Sequence, residues 1–304
     1  MIDNYQANAY ITSVGEHLMK YADFVPTYGL MDGKLGIALF LFICSSITKD
    51  DKFGAYANDL LDDIFENTAL LDALDFDTGL CGLSYGVKYL VTNGFVAPES
   101  MEVLTELDNH IFSLTISPNP NKIASIALYW KHRDRLDYYR DYVNRLAKYL
   151  CHGLEAKEFS VEEQFSIIHE LLIGYVSGDY PVEEDAKRLY AIYSKTTSNS
   201  PHISLTWKDT YLREIIGRYF GSVGKTSTNY SIKLRDLISL QRLHIRLNIP
   251  MPSEAAAKIE SIVSDKDLLD EFITLSNPRT MNLSGNMLGF AWMLAEEISN
   301  KFAV

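Results

Sequence analysis

Three observations predict an all-α fold arranged as an α/α toroid. Apolar residues recur at helical spacing in nearly every segment, and none alternates strictly as a half-buried strand would. Two kinds of helix take turns along the chain, one amphipathic and one apolar almost all round. A glycine-rich entry to the apolar kind occurs more than once. Together they describe a single domain over residues 1–304, built from about six to seven helical hairpins.

The elements follow in order. Ala7, Ile11, Val14, Leu18 and Tyr21 step along one face of a first helix, and Phe53, Ala57, Leu60, Leu61 and Ile64 line a second over Asp51–Asn67. Leu104, Leu107, Ile111 and Leu114 mark a third, entered through Pro98, a residue favoured in a first turn. Tyr139, Val143, Leu146 and Leu150 mark a fourth, which Gly153 is placed to close at C′. Ser160 and Glu163 form a capping box for a helix running to Tyr175. Ser253–Leu275 and Leu283–Lys301 again read as helical. The 19 tyrosines fall largely at helical spacing (Tyr138, Tyr139, Tyr142, Tyr149), which fits packing between hairpins.

The apolar helices include GIALFLFICSSI, GVKYLV and GFAWMLAEE. A helix apolar on every side must be buried on every side, so these form an inner layer wrapped by the amphipathic ones. Gly29-Leu30-Met31-Asp32-Gly33-Lys34-Leu35-Gly36-Ile37 aligns without gaps to residues 79–87, and residues 282–290 align to both. Residues 29 and 79 are 50 apart, and 282 lies 203 further on, about four such intervals. The first and last units are the most glycine-rich, whereas open arrays carry polar caps at their ends, so the hairpins are expected to close into a ring.

Composition narrows the partners. The net charge of −12 comes from 28 Lys and Arg against 40 Asp and Glu, and disfavours a nucleic-acid backbone or an anionic membrane surface. The most apolar stretch, Ile37–Ile47, is too short to span a bilayer, and the N-terminal residues lack a secretory pattern. Three cysteines (Cys44, Cys81, Cys151) do not make a disulfide framework, so a reduced, cytoplasmic setting is expected.

GLMDGKLGIALFLF, GLCGLSYGVKYLVTNGF and NLSGNMLGFAWML resemble the repeat signatures of lanthionine synthetase C-like proteins, the cyclase family of lantibiotic biosynthesis. The resemblance covers residues 27–96 and 280–298. It implies an α/α toroid with glycine-rich loops at one mouth and a ribosomally made peptide as the molecule bound or modified. The family's cyclases hold one zinc through two cysteines and a histidine, from a Trp-Cys pair and a Cys-His-Gly opening an inner helix. The zinc activates a thiol for addition to a dehydrated serine or threonine. Here none of Trp130, Trp207 and Trp292 precedes a cysteine, and Asp77-Thr78 and Thr27-Tyr28 stand before Gly79 and Gly29. Cys151-His152-Gly153 occurs mid-chain after an outer-type helix; with Cys81 or Cys44 as companion it is the weak metal candidate. The expectation is therefore no cofactor, and Cys81, aligned with Met31 and Ser284, reads as a packing residue.

Asp32, Asp75 and Asp77 stand at inner-helix N-termini, where Asp caps and where the helix dipole stabilises carboxylates. In a toroid they flank a central cavity suited to a peptide or small polar ligand. Tyr28, Tyr85, Asn282 and Trp292 complete the expected mouth. The alternative is a carbohydrate-active α/α barrel with Asp75 and Asp77 as its catalytic pair and the aromatic rings as sugar platforms; a third is a non-catalytic scaffold. Two further motifs fail: Gly221–Thr226 imitates a phosphate loop but has Tyr219 where glycine is required, and His169-Glu170 meets Ile173 where a second histidine belongs. His169 reads as a satisfied core histidine.

Overall fold

The computed structural model describes residues 4–31, 33–67, 73–113, 119–161, 163–177 and 183–199, with isolated positions between 211 and 261. Within them the regular structure is helical, and no strand occurs among the described residues. The helices are α1 (Asn4–Tyr21), α2 (Lys34–Thr48), α3 (Asp51–Glu66), α4 (Leu80–Thr92), α5 (Glu102–Ser113), α6 (Pro120–His132), α7 (Leu136–Glu155), α8 (Phe165–Ser177) and α9 (Glu184–Asn199). They fall into two compact units, α1–α5 and α6–α9. The expected helices at Ser253–Leu275 and Leu283–Lys301, the third glycine repeat at 282–290 and the loop at Gly221–Thr226 lie outside the described residues.

The two kinds of helix alternate as their patterns require. In α2 every residue from Leu35 to Cys44 is buried, and in α6 every residue from Ile123 to Trp130. By contrast α3 buries only the stripe Phe53, Ala57, Leu60, Leu61 and Ile64, while α7 buries Tyr139, Val143, Leu146, Ala147, Leu150, Cys151 and Gly153. A helix with ten successive buried positions leaves no face for water, so it needs neighbours on all sides. In the first unit α2 packs against α1, α3 and α4, and α4 against α5. In the second, α6 packs against α7 and α8, and α9 against α7 and α8. Apolar helices thus touch the next apolar helix (α2 with α4, α6 with α8), and amphipathic ones the next amphipathic (α1 with α3, α7 with α9). Each unit is two-layered.

The helix starts show why the segments end where they do. Asp50 caps α3 by accepting the Lys52 amide at 3.1 Å, and Asn119 caps α6 by accepting those of Asn121 and Lys122. Ser160 and Glu163 exchange both bonds of the expected capping box, at 2.7 and 3.2 Å, but α8 begins only at Phe165, so the box closes the turn before the helix instead of opening it. Pro98 opens a short 3-10 turn, Pro98–Met101, that leads into α5. Gly153 departs from its expected C′ place: α7 runs through it to Glu155. The Phe159 ring folds back onto this glycine: a Cβ there would lie 2.2 Å from Phe159 Cζ, so the ring would have to shift.

Registers differ too. The caps of α2 and α4 are Gly33 and Gly79, both extended (φ −152° and −115°). In each case the first helical amide reaches back seven residues to a carbonyl, Lys34 to Thr27 and Leu80 to Ala73, both at 2.9 Å. The equivalent glycines are therefore 33 and 79, 46 residues apart, so the ungapped alignment of Gly29 with Gly79 is displaced by one helical turn. Gly36 then matches Gly82, and Cys81 matches Leu35. The four apolar helices begin at residues 34, 80, 120 and 165, which are 46, 40 and 45 residues apart. The repeat thus continues through α6 and α8, where no glycine entry announces it.

Candidate functional site

Two loops of the first unit carry the described residues of the expected mouth, 27–31 and 33 before α2 and 73–79 before α4. They lie backbone to backbone: the Met31 amide donates to the Asp77 carbonyl at 2.8 Å. At Gly29 a Cβ would come within 2.4 Å of Thr78 Cα, and at Gly82 within 2.0 Å of the Phe76 carbonyl oxygen. No side chain fits at either place, which explains two of the glycines by close approach alone.

Asp75 stands at the centre of the second loop. Its Oδ1 accepts the Thr78 amide at 2.6 Å, and both carboxylate oxygens lie 2.8 Å from the Thr78 hydroxyl, which donates to them. This is a carboxylate clasping a turn three residues on, and the Gly79 amide closes the same turn on the Asp75 carbonyl at 3.1 Å. Asp77 is half-buried and holds the neighbouring loop through its backbone carbonyl. Asp32 lies outside the described residues, as do Asn282 and Trp292.

Aromatic rings flank this crossing. Tyr28 is half-buried under the Lys34 ammonium, 5.3 Å from its ring centroid, and Lys34 also pairs with Asp63 of α3 at 2.5 Å. Tyr85, on α4, is half-buried between Phe76 (5.8 Å) and Tyr89 (6.2 Å). The structure thus brings together the loops that carry Tyr28, Asp75 and Asp77, while Tyr85 on α4 meets the second loop through Phe76. Sequence reasoning missed Thr78 and the Lys34–Asp63 pair. The Asp-x-x-Thr spacing was the available signal for the first; nothing local signals a pair that spans a hairpin.

The three thiols are all buried. Burial pushes the Cys81 thiol well above its ordinary range, and the nearby Asp75 charge adds to this. Cys44 is pushed up by burial, with its Sγ 3.7 Å from the Ile11 carbonyl. Cys151 is pushed up to about 11, first by burial and then by Asp185 and Glu155, with Arg188 opposing. Its Sγ donates to the Asp185 carbonyl at 3.3 Å. His152 is exposed, and adjacent helical residues point about 100° apart. A zinc ligand set needs thiolates, and burial disfavours the thiolate at each cysteine. No three His, Cys, Asp or Glu side chains gather among the described residues. Cys151 and His152 are thus neighbours in sequence that face apart, one buried and one exposed.

His169 is buried, with Nε2 2.6 Å from the Tyr193 hydroxyl, as a satisfied core histidine should be. No helix among the described residues is long and apolar enough to cross a membrane. No family model, curated protein or solved structure matches the chain.

Proposed function

We propose that the chain is a lanthionine synthetase C-like α/α toroid that binds a ribosomally made peptide at the mouth of its inner helices, in an accessory or modifying role and without catalytic zinc. One observation carries the reading: the glycine loops that open α2 and α4 interlock through the Met31–Asp77 bond and the Gly29–Thr78 contact. Together with the two-layered packing and the starts 46, 40 and 45 residues apart, this supports a ring of hairpins with its loops at one end. A net charge of −12 favours a neutral or basic peptide over an acidic one.

The carbohydrate reading is weaker on the same geometry. It requires two carboxylates available for proton transfer or attack, and Asp75 commits both oxygens to Thr78.

The test is a titration of the full chain, purified without a histidine tag, against fluorescent synthetic peptides rich in Ser, Thr and Cys, in basic and acidic versions. The basic peptide is expected to bind and to weaken as salt rises from about 50 to about 500 mM, because screening shortens the reach of surface charge. Zinc is expected to stay well below one equivalent. Stoichiometric zinc lost in Cys151→Ala overturns the zinc-free reading. Failure of every peptide to bind, beside saturable binding of an oligosaccharide, overturns the peptide reading.

A further inference from the structure

We draw no further inference here: the strongest candidate, the half-buried Lys131 amine lying over the Tyr139 ring at the end of α6, rests on its depressed basicity alone, with no second observation among the described residues that points to a ligand.

Discussion

Gly29 lies so close to Thr78 that a Cβ on it would sit 2.4 Å from the Thr78 Cα and 2.6 Å from the Asp77 carbonyl oxygen. Two chain segments separated by 49 positions thus meet backbone to backbone, at a contact that only glycine permits. Real Cβ atoms do not approach that near, and backbone, unlike a flexible side chain, moves only with its loop. Gly29→Ala is therefore expected to destabilise the fold by about 1–3 kcal/mol, the usual cost of overpacking. Gly82→Ala is expected to do the same against the Phe76 carbonyl, 2.0 Å away. Chemical denaturation checks both. Wild-type stability in either variant would mean that the loops do not meet as described.

The Asp75–Thr78 clasp gives a prediction about role. A capping carboxylate contributes about 1 kcal/mol to the turn it closes, so Asp75→Ala and Thr78→Val are each expected to lose roughly that much. Because the two side chains share their bonds, the double variant should lose less than the sum, with a coupling of about 0.5 kcal/mol or more. Asp75→Asn keeps an acceptor for the Thr78 amide and should fall between wild type and Asp75→Ala. Under the proposed function its peptide affinity should match wild type. Strict additivity in the cycle would remove the clasp. A loss of binding in Asp75→Asn at unchanged stability would return Asp75 to a ligand-contacting role.

How far this was readable beforehand varies with the cause of each feature. The alternation of α2 with α3 was legible because burial on all sides and burial on one stripe leave different residue patterns. So were the Asp51–Asn67 stripe and the capping box at Ser160. The helix register at the two glycine loops was not. Gly29 and Gly33 answer to different neighbours, and a sequence does not say which glycine is the cap and which meets another loop. Gly153 misled for the same reason: a glycine near a helix end suits a C′ position, yet here it lies within α7 beneath the Phe159 ring. α6 and α8 belong to the repeat through spacing and burial alone, with no glycine-rich entry to reveal them.

The thiols give a prediction in pH. Cys151 has its pKa raised to about 11 in the fold, against about 8.5 for an unfolded thiol. A group whose folded pKa is raised contributes stability that is complete below the unfolded value and disappears as pH climbs through the folded one. Cys151→Ala should therefore flatten the loss of stability between about pH 8.5 and about pH 11. In native protein at pH 7.5, alkylation of Cys44, Cys81 and Cys151 should be slow, and all three should react quickly once denaturant is added. Fast native alkylation at Cys81, followed by mass spectrometry of its peptide, would contradict the burial described.

Lys131 tests the second unit in the opposite direction. Burial lowers its pKa to about 8, although the amine lies over the electron-rich face of Tyr139 at 5.6 Å, a contact that favours the charged form. Desolvation outweighs ring attraction when most of the ammonium's hydration is lost. A depressed folded pKa means that the lysine's contribution to stability is present above about pH 10.4, the unfolded value, and is lost as pH falls towards about 8. Its alkaline trend therefore opposes that of Cys151, and the two are separable only in single variants. Reductive methylation with labelled formaldehyde gives each lysine its own NMR signal. The signal missing in Lys131→Arg should titrate near pH 8 while the exposed lysines titrate above pH 10. A Lys131 signal that titrates with the rest would show the amine to be hydrated and the end of α6 more open than its burial from Ile123 to Trp130 indicates.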